Sequence, residues 1–367
     1  MGSRRRNRHA PWADMPCDLL ELIFDHIDLV SLIRCIDVCK SWWLAIANIL
    51  ILNPLFFCRE NIPPCFFFDM SVKPDEPNYN FFDLLTRKFY SVSVPGLKGP
   101  NRWVGARDGW LVVSVVNDEQ YKLLNPLTGV TIGLPIATQC VFIDPFAFKK
   151  VVICRTPDST NGFLLVGIIS GGGAAYVRQG DPTWIMIDGI SEEECQDAIV
   201  HEDRVFILTS IGDLYSWDSS LFGRHKLEAS GRGTPVEQSQ KPKSRKRYLV
   251  ESGGDILMVV CETLCISYYK LDQYLAKWDG SIEDLGDATI FLGSNYSAAM
   301  LDHDLDNLER NSIYFADEAW DSDDDGDNYR SNKKVYISRD GVKPCLPINL
   351  YDIFRQQIWL RPNIVLK

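Results

Sequence analysis

An acidic stretch at 321–332, DSDDDGDNYRSN, has part of the spacing of calcium ligands. The residues in register with the first half of an EF-hand loop are Asp321, Asp323, Asp325 and Gly326. The last position of such a loop needs a bidentate Glu and is Asn332 here, and the flanking sequences SIYFADEAW and KKVYIS have the pattern of strands where an EF-hand has helices. The sequence therefore predicts an acidic hairpin loop without a metal ion.

The other residue types that carry out catalysis do not fall at catalytic spacings. The histidines lie far apart, with none paired to cysteine at zinc spacing; they are His9, His26, His201, His225 and His303. The run SGGGAA at 170–175 follows the apolar FLLVGII and precedes YVRQG, which favours a hairpin turn over a phosphate-binding loop. No Walker, G-x-S-x-G or H-E-x-x-H motif occurs. We therefore expect no catalytic residues, no cofactor and no metal ion, in a protein that is not an enzyme.

Composition and charge exclude several classes of protein. With 46% hydrophobic and 24% charged residues in 367, the chain has the composition of a folded protein. A net charge of -11 argues against a nucleic-acid binder, because phosphate binding depends on clustered Lys and Arg. The longest apolar stretch, LAIANILILNPLFF, is interrupted by Asn53 and Pro54 and is too short to span a bilayer. We expect protein partners, with no nucleic acid and no membrane.

Cysteine usage and two basic segments bear on location. The 11 cysteines are scattered without a CxxC pair and no signal peptide is visible, which predicts reduced thiols in the cytoplasm, the nucleus or both. The first segment, 1–10, contains RRRNRH and is expected to be disordered. The second, KPKSRKR at 241–247, is either a nuclear localisation signal or a solvated basic loop, and the sequence leaves both open.

Residues 11–52 have the periodicity of short helices. Pro16 suits a first helical turn, and Leu19, Leu20 and Ile23 recur at the spacing of one helical face. Two further helices are predicted downstream, which gives a three-helix unit. A unit of this size buries too little apolar surface to be stable alone, so we expect part of it to dock on the rest of the chain or on another protein.

The sequence of this unit resembles the F-box. The likeness rests on MPCDLL at its start and VCKSWW at its end, with Met15 in place of the usual Leu. The resemblance implies that the unit binds the SKP-type adaptor that links F-box proteins to a cullin in an SCF ubiquitin ligase. The contact residues that it implies are Pro16, Leu19, Leu20, Ile23, Leu32, Val38 and Trp42. Some of these residues must hold the helices together, and the sequence alone does not divide the two roles.

From 60 to 367 the pattern changes to short β-strands separated by Gly, Asp and Asn. A turn residue followed by two strands recurs at intervals that fit one four-stranded blade each. These repeats open at Gly109, Gly162, Asp203, Gly254 and Asn311. The sequence predicts an all-β propeller of about five to seven blades, with a two-sheet sandwich as the alternative. We also expect IWLRPNIVL to return and complete the first blade. The predicted fold class is α+β multidomain, with a three-helix unit followed by a propeller.

This β region resembles the domain that follows the F-box in plant kelch-like F-box proteins. The likeness rests on FYSVSVPGLKGPNRWVGARDGWLVV, LLNPLTGVTIGLP, SIYFADEAW and IWLRPNIV, and on the order of the two domains. It implies a non-catalytic substrate receptor of an SCF ligase, whose propeller recruits a protein target for ubiquitination. Two other functions stay open: a propeller that binds a small molecule or carbohydrate, and a ligase-independent scaffold that sequesters a regulatory protein.

Overall fold

A computed structural model of the chain divides it into two compact units, one within residues 1–62 and one formed by 63–365. The residues that the structure describes are 11–24, 26–27, 31–32, 35, 38–52, 63–70, 79–85, 87–92, 94, 97, 101–115, 120–136, 148–190, 195–218, 228–231, 246–262, 265–272, 277–282, 285–301, 308–316, 336–338, 342–344 and 356–361.

The N-terminal unit is built from short helices. A 3-10 helix, Pro11–Asp14, precedes α1 (Cys17–Phe24) and α2 (Lys40–Leu52). Pro16 stands just before α1, where its ring removes no intrahelical hydrogen bond, and its carbonyl accepts the N–H groups of the third and fourth residues that follow it, at 3.1 Å each. Pro16 therefore begins this helix as the sequence predicts.

The second of the three predicted helices falls largely outside the described residues. Ser31, Leu32 and Cys35 are helical, so the count of three helices stays a prediction. The basic segment 1–10 and the acidic stretch 321–332 also lie outside the described residues. Among the helices that the structure describes, none combines the length and the apolar character that a membrane crossing requires.

The second unit is all β. Its strands in the described residues are β1 (Cys65–Asp69), β2 (Tyr79–Asp83), β3 (Lys88–Val92), β4 (Asn101–Arg107), β5 (Trp110–Val115), β6 (Gln120–Leu124), β7 (Thr131–Gly133), β8 (Phe148–Arg155), β9 (Leu164–Ile169), β10 (Ala174–Arg178), β11 (Ile185–Met186), β12 (Cys195–His201), β13 (Arg204–Thr209), β14 (Leu214–Asp218), β15 (Glu228–Gly231), β16 (Lys246–Ser252), β17 (Asp255–Glu262), β18 (Cys265–Asp272), β19 (Lys277–Ile282), β20 (Thr289–Leu292), β21 (Ala298–Met300), β22 (Ser312–Phe315), β23 (Tyr336–Ser338), β24 (Val342–Pro344) and β25 (Gln356–Leu360).

These strands form six sheets, which we number as blades I to VI. Blades II to V are β4–β7, β8–β11, β12–β15 and β16–β19, each a four-stranded antiparallel sheet. Blade I has the order β25-β1-β2-β3. Blade VI has the order β21-β20-β22-β23-β24, with β20 and β22 parallel. The first strands of neighbouring blades lie side by side, β4 beside β8 and β12 beside β16, and are the inner strands of a six-bladed propeller.

Closure of the ring depends on β25, which pairs antiparallel with β1 and places Trp359 opposite Phe66. Between blades I and VI, the Trp359 side chain packs on that of Phe291, with the centroids of the two aromatic rings 5.2 Å apart. Each of the other five blade pairs is likewise joined by a buried apolar cluster. The prediction that IWLRPNIVL completes the first blade is confirmed, the blade number lies within the predicted range, and the two-sheet sandwich is excluded.

The predicted repeats have the right spacing but begin one strand late. Gly109 and Gly254 have positive φ values of 82° and 83° in the turns between the first and second strands of blades II and V. Asp203 occupies the same turn in blade IV. In these three blades the repeated phrase thus opens on the second strand, because the turn before that strand is a stronger sequence signal than the inner strand.

Candidate protein-docking face

The helix α1 has a buried and an exposed apolar stripe. Leu20 and Phe24, four residues apart, are 0% and 1% exposed. On the neighbouring stripe, Leu19 is 51% exposed and Ile23 is 36% exposed. Because residues at this spacing lie one above the other on a helix, the two stripes have separate environments. One stripe is interior, and the other is a surface of large aliphatic side chains.

Trp42 connects α2 to the elements before it. Its ring meets Phe24 edge-on, with centroids 5.7 Å apart, and its indole Nε1–H donates a hydrogen bond to the carbonyl oxygen of Trp12 at 2.8 Å. Leu32 and Ile46 are also buried. The aromatic contact holds α2 against α1, and the hydrogen bond holds α2 against the 3-10 helix.

The structure places the seven sequence-derived contact residues in different environments. Those with exposed side chains are Pro16, Leu19, Ile23 and Val38. Leu20 and Leu32 are buried, and Trp42 is partly buried. Leu20 and Leu32 therefore lie in the interior of the helical unit, whereas Pro16, Leu19, Ile23 and Val38 lie on its surface.

Further exposed apolar side chains join this set. They are Trp12, Leu22, Trp43 and Leu44, and with Leu19, Ile23 and Val38 we call them the docking face. Of the twelve large hydrophobic side chains that are exposed among the described residues, these seven belong to the helical unit. The sequence contains a signal for Trp43 and Leu44 in α2, because KSWWLAIANILIL carries a single charge and is apolar all round. A helix of this kind is normally covered on every side, which indicates that its exposed residues bind a partner.

Polar groups border the docking face. Asp14 and Asp18 are exposed at the start of α1, and Lys40 is exposed at the start of α2. At the end of α1, His26 Nδ1 lies 2.8 Å from the carbonyl oxygen of Leu22 and satisfies an acceptor that the helix leaves open. Exposed large apolar side chains on one small unit, together with exposed charged groups, are characteristic of a surface that binds another protein. Burying each large side chain of such a face contributes about 1.5–3 kcal/mol before ordering costs.

The propeller offers different chemistry. Lys150 of β8 forms a buried ion pair with Asp197 of β12, whose carboxylate also accepts the backbone N–H of Ala198 at 2.8 Å and of Leu249 at 2.7 Å. Burial raises the pKa of Asp197 against the opposing effect of Lys150 and the two N–H donors. This carboxylate joins blades III, IV and V, and it has no access to a substrate.

The thiols of Cys154 and Cys65 in the propeller are held in their protonated form. Burial raises the pKa of Cys154 to about 12 although Arg107 and Arg155 lie nearby, and burial with the charge of Asp83 raises the pKa of Cys65. Thiols with raised pKa stay protonated and are poor nucleophiles and poor metal ligands. Within the described ranges, no group of three His, Cys, Asp or Glu side chains is placed to hold a metal ion.

Two family profiles match the chain. Residues 12–42 match the F-box domain, and 81–337 match the family described as KIB1-4 beta-propeller. The first match covers the exposed stripe of α1 and Val38, and the second covers most of the ring.

Curated relatives are similar along most of the chain. The F-box/kelch-repeat protein At1g57790 of Arabidopsis thaliana is 24% identical over 83% of this chain and 82% of its own length. The F-box protein At1g69090 of the same plant is 24% identical over 94% of this chain and 89% of its own length. The F-box/kelch-repeat protein KIB1, also of Arabidopsis thaliana, is 24% identical over 85% of this chain and 79% of its own length.

Proposed function

Because this chain belongs to the KIB1-4 β-propeller family of plant F-box proteins, we propose that it is a substrate-receptor subunit of an SCF-type cullin-RING ubiquitin ligase. Under this proposal the F-box binds an SKP-type adaptor and, through it, a cullin. The propeller recruits a protein target. The observation that carries the proposal is the docking face, because its large apolar side chains are exposed on a unit that matches the F-box.

The contact residues in this proposal are chosen by exposure. Pro16, Leu19, Ile23 and Val38 would contact the adaptor directly. Burial of a few such side chains at the centre of an interface dominates the binding free energy, since truncating a central apolar residue costs about 2 kcal/mol or more. Leu20, Leu32 and Trp42 would act indirectly by holding the helices in position.

The contribution of this chain to ubiquitin transfer would be positional. A target held on the propeller has its lysines at a high effective concentration near the conjugating enzyme, which is bound elsewhere on the assembly. No side chain of this chain then takes part in the chemical step. We also propose that the protein works in the cytoplasm, the nucleus or both. Lys246 of KPKSRKR begins β16 and Arg247, the next residue, is buried, so a localisation signal there would have to rely on the residues before them.

Co-purification with the adaptor tests the assignment of the docking face. We expect Leu19→Asp and Ile23→Asp to lose the SKP-type adaptor while the propeller stays folded, because a buried unpaired carboxylate opposes association. The matched control is Ile211→Asp in the ring, where the original side chain is also exposed. We expect Ile211→Asp to retain the adaptor. Retention of the adaptor by Leu19→Asp and Ile23→Asp would contradict the proposal.

Proteasome inhibition tests the role of the propeller. Proximity labelling of the full chain, with Leu19→Asp as reference, identifies proteins near the ring. We expect at least one labelled protein to accumulate when the proteasome is inhibited and also in cells that carry only Leu19→Asp. Labelled proteins whose abundance does not change in either case would support the ligase-independent scaffold instead.

A further inference from the structure

Three arginines lie at the same end of the inner strands of three neighbouring blades. Arg361 directly follows β25 in blade I, Arg107 ends β4 in blade II, and Arg155 ends β8 in blade III. This is the end at which β4 turns into β5, because Arg107 is paired with Trp110 across that hairpin. We call these three side chains the arginine cluster. They stand out in a protein whose net charge is -11.

Arg107 occupies the middle of the cluster and is held in place. Its Nη1 donates hydrogen bonds to the carbonyl oxygens of Ile153 at 2.9 Å and Cys154 at 3.1 Å, the two residues before Arg155. Its Nε lies 3.3 Å from the carboxylate of Asp108, and both side chains are partly exposed. Arg107 therefore has one anionic partner and a fixed position beside the end of β8.

Arg155 and Arg361 have no such partner in the part of the chain that the structure describes. Neither forms a hydrogen bond or an ion pair there, and the Nε atom of each is buried without an acceptor. Leaving a buried donor of a charged group unsatisfied costs more than leaving a neutral one, because the charged group loses more hydration. Two guanidinium groups at the same end of the ring therefore carry uncompensated charge.

A tyrosine from blade VI completes the surroundings. The segment 293–297 connects β20 to β21, and in it Asn295 Nδ2 donates a hydrogen bond to the carbonyl oxygen of Trp103 in β4 at 2.7 Å. Tyr296 packs against the apolar clusters on both sides of blade I. Burial raises the pKa of Tyr296, the charge of Asp108 adds to this effect, and the charges of Arg361 and Arg107 oppose it. Its hydroxyl is thus a neutral donor beside two of the three arginines.

The buried Lys150 of the same propeller has a carboxylate partner, whereas Arg155 and Arg361 have none in the described residues. Lys150, also on an inner strand, is matched by the carboxylate of Asp197. Among the residues that the structure describes, the carboxylate paired with the arginine cluster is that of Asp108, and it is engaged by Arg107. The charges of Arg155 and Arg361 therefore remain for an external anion. A phosphate group, with a charge of about -1.5 to -2, balances two positive charges better than a carboxylate does. Guanidinium groups also bind phosphate oxygens through paired N–H donors.

We propose that the arginine cluster and the Tyr296 hydroxyl form a binding site for a phosphate group, carried by a small molecule or by a phosphorylated protein segment. Arg361 contacts the phosphate oxygens, Tyr296 donates a further hydrogen bond, and Arg155 adds its unmatched charge from the neighbouring blade, while Arg107 contributes only the N–H groups that its present partners leave free. The site belongs to the ring alone and does not depend on the F-box.

Thermal unfolding of the full chain in inorganic phosphate tests the site. We expect phosphate to raise the Tm of the propeller above its value in potassium chloride of equal ionic strength, because a ligand of the native state stabilises it. In Arg361→Gln the phosphate concentration for half of this rise should increase about tenfold or more, since a charge-assisted contact is lost. Arg155→Gln should show a smaller increase. The control Arg310→Gln removes the same charge from an exposed ion pair with Asp287 and should behave like the original protein.

A second readout separates a binding role from a structural one. In chloride alone, Arg361→Gln should have a Tm equal to or above that of the original protein, because an unmatched charge has been removed. If Arg361→Gln does not fold, Arg361→Lys retains the charge and should weaken the phosphate effect while the ring stays folded. Equal Tm values in phosphate and chloride, or an unchanged phosphate effect in Arg361→Gln, would overturn the proposal.

A peptide distinguishes the two sources of the phosphate group. An acetylated Gly-phosphoserine-Gly amide that binds more tightly than inorganic phosphate would support the site and point to a phosphorylated protein segment. Binding no tighter than that of inorganic phosphate would support the site and point to a small molecule. The unphosphorylated peptide is the control, and a Tm rise as large as that of the phosphopeptide would count against the site.

Discussion

The two units of this protein treat their apolar side chains in opposite ways. In the helical unit, Leu19 and Leu22 remain exposed beside the buried Leu20. In the ring, both faces of each blade are covered by neighbouring blades, and the innermost strand of blade I comes from a distant part of the chain. A ring of sheets supplies its own partners by closing, whereas a few helices have no second layer. The difference indicates that the ring buries its large apolar side chains within this chain, whereas the helical unit leaves a set of them exposed.

The largest effect is expected where the ring closes. Trp359 is fully buried, donates its indole N–H to the carbonyl oxygen of Leu292 at 3.0 Å and packs on Phe66 and Phe291. Trp359→Ala should lower the free energy of unfolding of the ring by about 3–5 kcal/mol, through lost contacts and a cavity. Urea unfolding followed by circular dichroism measures this change.

The same substitution in the helical unit sharpens the comparison. Trp12 is 55% exposed, so Trp12→Ala should change the free energy of unfolding by no more than about 0.5 kcal/mol. Its backbone carbonyl, which accepts the Trp42 indole, remains in the variant. A loss in Trp12→Ala as large as that in Trp359→Ala would contradict the division between the two units.

A similar loss is expected from breaking the buried ion pair. Lys150→Met leaves the Asp197 carboxylate without its cation, which should lower the free energy of unfolding by about 3–5 kcal/mol near neutral pH. Burial already raises the pKa of Asp197 in the native protein. A carboxyl group whose pKa is higher in the native than in the unfolded protein favours the native state at low pH and disfavours it as the pH rises. The loss should therefore shrink in acid. Urea unfolding at several pH values measures it.

An exposed ion pair provides the control for Lys150. Lys270 Nζ lies 2.7 Å from an Asp255 carboxylate oxygen, with both side chains nearly half exposed. Lys270→Met should cost only about 0–1 kcal/mol, because water and salt screen the pair. Equal losses in Lys270→Met and Lys150→Met would argue that burial does not govern the Lys150 pair.

Adjacent leucines in α1 give the next effect. Leu20→Ala should destabilise the helical unit by about 2–5 kcal/mol, because Leu20 is buried. Leu19→Ala removes the same atoms from an exposed position and should leave stability almost unchanged while it weakens adaptor binding. Hydrogen exchange of the α1 amides in the full chain reports the stability. Faster exchange in Leu19→Ala than in Leu20→Ala would reverse the assignment of interior and docking face.

The smallest effect is expected at the Trp42 indole. Trp42→Phe removes the hydrogen bond to Trp12 and keeps an aromatic ring near Phe24, so the helical unit should lose about 0.5–1.5 kcal/mol. Hydrogen exchange of α1 and α2 again provides the measurement. Trp43→Phe is the matched control, because Trp43 is an exposed member of the docking face. Equal changes in both variants would show that the indole hydrogen bond does not stabilise the unit.

The architecture could be read from the sequence because its signals are local and repeated. Turn residues such as Gly109 and Gly254 mark each blade, and the apolar run around Trp359 identifies a strand without a partner nearby in the chain. The order of strands in blade VI could not be read in this way. The apolar run SIYFAD predicts a strand at β22, but not that this strand pairs in parallel with β20, nor that β21 lies at the edge of the sheet beside β20.

The candidate sites were only partly readable, for a physical reason. The F-box pattern selects Leu19 and Leu20 together, although one is exposed and the other buried, because a sequence pattern records residue types and not their burial. No pattern in the sequence indicates the arginine cluster, because Arg107, Arg155 and Arg361 are single residues at strand ends far apart in the chain. Only closure of the ring brings such positions to one end of the inner strands.

The pairing of β25 with β1 also has a consequence for synthesis. Residues 65–69 leave the ribosome early, and residues 356–360 follow only after all the other blades. At a synthesis rate of ~5–20 residues per second, the first blade stays one strand short for roughly tens of seconds. During that time the edge of β1 and the aromatic residues around Phe66 are exposed to other nascent chains, so holding chaperones should bind this ring before its last strand arrives.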